Sequence, residues 1–484
     1  MLRAGATSRQ QRAPARKDVA PLGGPRSALN DAALAASKLP LPVLIMILTI
    51  LIPVEFRIGS LAMTGLRVEL IIMIIPLLYG LFSGRFGPIL MVDWLFLGHF
   101  GWIVVALAVN NPDRMVQQAG SLGVEFLGGY LMGRAYIRSR EAFAALSKVL
   151  IWSIVLMVPL FLYEAKTDYT VIPMLLEKLP GISSVNISRP DPRMGLNRVQ
   201  ASFDHPIHFG LYASVVFSLA FVAFEGIRSL AWRIVMSVIV VGSGALALSS
   251  GALLALVLQI GLISWSLMFQ KIQWRWWLLL GLFVLAYIVI DLLSNRTPIK
   301  VFMSYATFSA HTAYWRGIIF EWGMKNVWAN PIFGLGLRDW IRPSYMRSGS
   351  MDNFWLVMAV RYGIPGFLLI ATGYVLGLAQ IMRRNFDADP RLMWFRRAWV
   401  FTFLGLTFTL CTVHIWGSIY SFVFFMFGSG IWLIKEGAPD PHAVGRRNKR
   451  ETPVQSETDI SVPEASVASS YTRFGQGHHR RDRL

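Results

Sequence analysis

From Leu39 to Ile434 the chain returns repeatedly to apolar runs close to the length needed to cross a bilayer, and that repetition constrains its fold more than any other feature. In hydrocarbon each backbone polar group must be satisfied within its own segment, so such runs form helices and irregular chain collects on the membrane faces. Twelve spans are expected, among them Leu39–Val54, Ala119–Ala135, Val400–His414 and Ser418–Ile434. The fold class is therefore all-α, a polytopic membrane protein of about 12 transmembrane helices with a large outer loop that contains an interfacial helix. Composition agrees, because only 15% of residues are charged and 55% are hydrophobic, whereas soluble domains are charged at about a quarter of positions.

The formal net charge of +19 matters mainly by where it lies. Residues 1–38 are rich in Ala, Pro and Arg and hold no apolar h-region, and residues 435–484 carry RRNKR and HHRRDRL; both read as disordered cytoplasmic tails flanking a membrane domain at 39–434. Positive-inside anchoring accounts for these clusters without nucleic acid as a partner. With both tails inside, the short connections holding Arg85, Arg138 with Arg140, Arg228 with Arg233, Lys271 with Arg275, and Arg383 to Arg397 fall inside as well. The two long connections, 164–205 and 294–352, then fall outside. They are basic too, with Arg189, Arg193 and Arg198 in one and Arg296, Lys300, Arg316, Lys325, Arg338, Arg342 and Arg347 in the other. Long loops cross a membrane regardless of charge, so a solvated surface and an anionic ligand both remain open readings at this point.

Ionisable residues near the spans share a side. Glu69, Glu125, His205, His208 and His414 lie toward the outer boundary, while Asp93 lies nearer the inner one. An outward-opening polar cavity is the simplest common explanation, although a Glu paired with a neighbouring helix's Arg serves each position alone. The single cysteine, Cys411, reads as a small buried side chain and permits no disulfide within the chain.

Three segments carry chemistry. In RVQASFDHPIHFG, Pro206 suits a first helical turn, Asp204 precedes it as a cap and Arg198 sits at the cavity mouth. In AYWRGIIFEWGMKNVWANPIFGLGLRDW, Trp315, Ile318, Ile319 and Trp322 recur at helical spacing, which predicts an interfacial helix with its aromatic face in the headgroups and Arg316 leaving that stripe. Asn330 and Pro331 stop that helix, and Gly334 and Gly336 follow in a turn whose N–H groups can approach phosphate oxygens. SMDNFWLVMAVRYGIPG places Asp352 and Asn353 at the mouth of the next span.

Taken in order, these segments resemble the O-antigen ligase and O-antigen polymerase family of bacterial envelope glycosyltransferases. The matching positions are Arg198, Ala201 with Phe203 and Pro206, Arg316, Pro331 with Gly334 and Gly336, and Asp352 with Asn353, a stretch from about Arg198 to Gly366. Ala201 stands where the family usually has Gly, Ser250 where many members have Arg, and Asp352 where the ligases have His. The resemblance implies a polyprenyl-diphosphate-linked oligosaccharide as donor, a glycan or lipid A core as acceptor, membrane lipid as surroundings, no cofactor, and an active site on the periplasmic face of the inner membrane. It further implies that Arg198, Arg316, Gly334 and Gly336 hold the diphosphate, that Asp352 and Asn353 act in catalysis and that transfer is inverting; His205, His208 and Glu125 are the expected cavity residues, and without another acidic cluster outside a metal-independent mechanism is preferred. A D-x-D at Asp387 to Asp389 is the rival metal signal, in an inner loop far from those arginines. A transporter or flippase of lipid-linked glycans and a noncatalytic assembly partner are the competing classes. The transporter lacks a repeat between the two halves of the chain.

Overall fold

The computed structural model describes residues 37–436 apart from 60, 296–297, 299–300, 302–309, 347 and 387–388. The two tails, Arg296, Lys300, Arg347 and the Asp387 of the D-x-D lie outside the described residues. Within them the chain is built of helices and one hairpin. The order is α1 (Leu41–Leu51), the antiparallel hairpin β1 (Glu55–Ile58) and β2 (Leu61–Thr64), α2 (Gly65–Phe82), α3 (Met91–Asn110) and α4 (Pro112–Gly123). A π-turn at Val124–Gly128 leads into α5 (Gly129–Tyr136), then α6 (Arg140–Thr167), α7 (Val171–Leu176) and α8 (Pro206–Ser218). Next come α9 (Leu230–Ala245), α10 (Ser250–Met268), α11 (Arg275–Leu293), α12 (Ala310–Ala329), α13 (Phe354–Met382), α14 (Pro390–Leu410) and α15 (Gly417–Gly428).

Eight of these helical stretches are long and apolar enough to cross a membrane, and α1 and α9 are shorter apolar helices. The protein is a multi-pass membrane protein. Capping side chains set many of the starts: Thr64, Ser139, Ser229, Ser249, Asn353 and Asp389 each accept an N–H from the first turn of the helix they precede. The last of these corrects the expected span at Val400–His414. Asp389 as cap and Pro390 in the first turn begin α14 ten residues earlier, so Arg391, Arg396 and Arg397 belong to the helix end and not to a loop. Cys411 is likewise displaced: it caps the far end of α14 with its side chain exposed, because the helix stops there.

Glycines let two helices meet backbone to backbone. A side chain at Gly129 or Gly133 of α5 would strike the Ser421 or Phe425 carbonyl of α15, and one at Gly428 would strike the Tyr130 carbonyl in return. The helix α13 breaks at Gly363, whose φ of 72° and following Pro365 interrupt the helical ladder. That break is filled from outside, as described below.

The two long connections meet at one end of the bundle. Glu55 and Ser183 exchange backbone hydrogen bonds of 2.8 Å, which docks the 168–205 connection on the β1–β2 hairpin. Asn197 N–H donates to Ala165 O and Val199 N–H to Leu246 O, both at 3.0 Å, tying the same connection to the ends of α6 and α9. Opposite lies an end rich in surface cations, where Arg140 pairs with Asp389 at 2.7 Å and Arg138 donates to Arg85 O at 2.8 Å.

Candidate active site

The site is assembled from the loop end of the bundle. At its base, Glu164 near the end of α6 is buried and accepts the N–H groups of Gln200 at 2.8 Å and Ala201 at 3.2 Å. Gln200 extends the clamp, accepting from Ser188 N–H at 2.8 Å and donating to the Phe203 and Asn186 carbonyls. The bend this forces puts Ala201 at φ 54°, in the left-handed region where Gly is at ease. A small crevice beside it is lined by Met157, Phe161, Glu164 and Ile172.

Held this way, Arg198 is buried and its Nε donates to Ala247 O at 3.3 Å. Five residues earlier Arg193 donates through Nη1 to the next carbonyl, Leu248 O, at 2.7 Å. Sequence alone counted Arg193 only as a loop charge. Its position comes from a tight turn: Arg193 and Leu196 exchange backbone hydrogen bonds of 3.0 Å, with Met194 and Gly195 both at positive φ. The Gly at this turn was the available signal.

Arg316, on α12, is buried with its Nε unpaired. Burial lowers its pKa, Arg193 lowers it further and Asp352 opposes both. Burial and Arg193 likewise bring Arg198 down to about 10. His205 is held down at about 4 by burial and then by Arg198, with Asp352 pulling the other way. Arg193 thus acts on Arg198, His205 and Arg316, and Asp352 acts on His205 and Arg316, which links residues from three separate segments. Among the described residues neither Arg198 nor Arg316 forms an ion pair.

His205, not Asp204, caps α8: with Pro206 in the first turn, the cap position is the residue immediately before it, and His205 Nδ1 accepts Ile207 N–H at 3.1 Å. That bond fixes a neutral ring with its proton on Nε2. Asp352 accepts the Ser350 hydroxyl at 2.8 Å, and Asn353 spends its Oδ1 capping α13 through Leu356 N–H at 3.0 Å. His208 is fully buried, with its ring 4.1 Å from that of Trp416. Glu125 is taken up in a pair with Arg67 at 2.8 Å, so the neighbouring-arginine alternative describes it. With Asp204 and Glu55 it forms an acidic group: burial and then Glu125 raise Asp204 to about 6, and burial and then Asp204 raise Glu55.

Gly334 and Gly336 have a use different from the expected one. Gly336 N–H donates to Arg361 O at 2.9 Å, Leu335 N–H to Val360 O at 2.8 Å and Gly334 N–H to Asn330 O at 3.1 Å, while Ile364 N–H donates back to Pro331 O at 2.7 Å. The turn plugs the break in α13, and its donors are occupied by carbonyls and not left for phosphate. A Cβ on Gly334 would press on the Arg361 backbone, so glycine is required for that approach. From the other side Asn111 accepts Leu337 N–H at 2.8 Å and Asn110 donates to Phe333 O at 3.1 Å. The aromatic stripe of α12 is corrected as well: Ile319 is buried and Trp315, Ile318 and Trp322 pack on the core, so the stripe faces the protein, while Tyr314, Phe320 and Trp328 are exposed.

Residues 234–371 match the sequence model of the family described as O-antigen ligase. Over that segment the chain is similar to that family. The family is one of glycosyltransferase-like membrane enzymes of the ligase and polymerase type. The matched segment holds Arg316, Gly334, Gly336, Asp352 and Asn353, and leaves Arg193, Arg198 and His205 to be joined to it by the fold. No curated protein matches the chain. Asp389, the described member of the D-x-D, caps α14 at the opposite end of the bundle, away from the arginines.

Proposed function

We propose that the protein transfers a glycan from a polyprenyl diphosphate to an acceptor hydroxyl, at the periplasmic face of a bacterial inner membrane that its chain crosses twelve times. One observation supports this reading: Arg198 and Arg316 are buried, and among the described residues neither is ion-paired with a carboxylate, while Asp352 acts on Arg316. Buried cations without a protein counter-charge are costly, and an anionic diphosphate supplies what is missing.

The step balances as follows. Asp352 takes the proton of the acceptor hydroxyl, the freed oxygen bonds to the anomeric carbon, and the bond from that carbon to the phosphate oxygen breaks with its electron pair passing to the diphosphate. Attack opposite the leaving group inverts the anomeric centre. Arg198 and Arg316 meet the charge that grows on the diphosphate, a role that requires no metal ion. The Ser350 hydroxyl orients Asp352, and His205, neutral with its proton on Nε2, is a donor to glycan or phosphate oxygen and not a second base. Asn353 acts through the start of α13 and positions Asp352.

Asp352 in place of the ligases' His favours a lipid-linked glycan as acceptor, and so polymerisation, over a lipid A core. Proteoliposomes supplied with purified lipid-linked donor in the presence of chelator test the reaction. Asp352→Asn should reduce transfer by roughly a hundredfold or more while donor binding persists. Full activity in that variant removes Asp352 from the mechanism, and a requirement for added divalent ion removes the metal-free step. In a deletion strain, loss of long chains with single repeats retained indicates a polymerase; loss of all capped lipid A core indicates a ligase.

A further inference from the structure

The turn between α9 and α10 offers two consecutive carbonyls, Ala247 and Leu248, and a guanidinium is seated on each: Arg198 on the first and Arg193 on the second. Leu248 adopts φ 44°, a left-handed conformation that Ala247 does not share. Backbone hydrogen bonds on both sides hold the segment, through Arg193 to Leu196 and through Val199 N–H to Leu246 O at 3.0 Å. Two arginines five residues apart are therefore fixed side by side on one rigid turn, with Arg193 half-buried and Arg198 buried.

We infer that Arg193 is a third anion-binding residue of this site, and that it sets the preference for a lipid diphosphate over a lipid monophosphate. The inference rests on the reading of the site given above. Its physical basis is charge matching. A diphosphate bridging a glycan and a lipid carries about two negative charges, and its terminal phosphate acquires about one more once the glycan has left. Arg193, Arg198, Arg316 and an ionised Asp352 leave the site at a net charge of plus two, and Asp352 becomes neutral as it takes the acceptor's proton. The site charge then rises by one in step with the departing diphosphate. Without Arg193 the site falls one charge short before and after the step, and a monophosphate becomes the better match. The mutual influence of Arg193 with Arg198, Arg316 and His205 is consistent with a single electrostatic site.

The test measures binding of a short-chain polyprenyl diphosphate-linked sugar, with about two charges, and of the matching monophosphate-linked sugar, with about one, to the full-length protein in nanodiscs. Arg193→Gln should weaken diphosphate binding by about tenfold, the scale of one lost charge-assisted contact, and monophosphate binding by less than about threefold. Retained monophosphate binding shows that the variant is folded. Arg193→Lys keeps the charge and the reach to the Leu248 carbonyl but loses the planar fork, and should fall between the two. Arg189→Gln, on the same connection and paired with Asp168 at 3.6 Å, should change neither affinity. An unchanged ratio of the two affinities in Arg193→Gln, alongside diphosphate binding lost in Arg198→Gln, would leave Arg193 as a pin for its turn and overturn the inference alone. Wild-type protein with no affinity for the diphosphate would overturn the proposed function together with it.

Discussion

Two of the places where this bundle buries arginine are built in opposite ways. At the end opposite the long connections, Arg134 donates to Phe86 O at 2.7 Å and Pro88 O at 3.2 Å, and its Nε lies 3.5 Å from Asp93. Asp93 in turn accepts the Tyr130 hydroxyl at 2.5 Å and the Leu90 N–H at 2.7 Å. Charge and hydrogen bonds close on themselves there. At the loop end, among the described residues, neither Arg198 nor Arg316 is ion-paired with a carboxylate, and Asp352 acts on Arg316 and on the neutral His205. The difference separates an arginine that holds helices together from arginines held ready by them, and it makes the effects of substitution separable.

The largest effect should come from breaking the closed group. Arg134→Met leaves Asp93 buried without its counter-charge, a change that typically costs about 3 to 5 kcal/mol. Loss of folded protein, seen as failed membrane accumulation or a collapsed thermal transition in detergent, is expected. A stable Arg134→Met protein would dissolve the comparison.

The converse follows at the loop end. Arg316→Lys retains charge but not the planar fork, so transfer should fall on the order of tenfold while the thermal midpoint stays within a degree or so of wild type. If stability fell as well, Arg316 would belong with Arg134 as a structural cation. An unchanged transfer rate at equal protein level would leave it as a lipid anchor.

Much of this was readable in the sequence, and what was not has physical reasons. Apolar run length and the side on which the arginines fall gave the helices and the two long connections, because bilayer solvation imposes both. Motif order singled out Arg198, Arg316 and Asp352, the residues on which the proposed function rests. The start of α14 was missed because arginines at a helix end look like loop residues, yet their stems lie along the helix while their heads leave it. The stripe of α12 was assigned to the wrong neighbour, since periodicity reveals that a face is buried and not what buries it. Gly334 and Gly336 were read for phosphate, but the break at Gly363 they plug lies almost thirty residues along the chain, which no local pattern displays.

A smaller prediction concerns pH. Asp204 has its folded pKa raised to about 6 from the ordinary carboxylate value, by burial and then by Glu125. Between those values the folded protein keeps a proton that the unfolded chain has lost, so this group's contribution to stability is present at low pH and is lost as pH rises through about 6. Asp204→Asn removes that loss. The variant should melt higher than wild type at pH 8, with the gap closing below pH 4, in paired thermal scans. A gap of equal size at both pH values would assign the change to packing and not to ionisation.

The least effect is expected at Ala201, and it probes how the loop end is held. The Glu164 clamp fixes two successive N–H groups and forces Ala201 to φ 54°, where a Cβ costs on the order of 1 kcal/mol relative to glycine. Ala201→Gly relieves that strain but removes a buried methyl beside Phe161, worth up to about 0.8 kcal/mol. The two terms nearly cancel, so stability should rise by no more than a few tenths of a kcal/mol while transfer is unchanged. Glu164→Gln exposes the alternative: a neutral acceptor keeps the shape but weakens both N–H bonds, and the bend itself becomes easier to lose. In that background Ala201→Gly should lower the thermal midpoint, because glycine then frees the segment to leave the left-handed bend that carries Arg198. Equal effects of Ala201→Gly with and without the clamp would mean that the bend is set by its own residues, and that the arginines of the loop end do not depend on the end of α6 for their position.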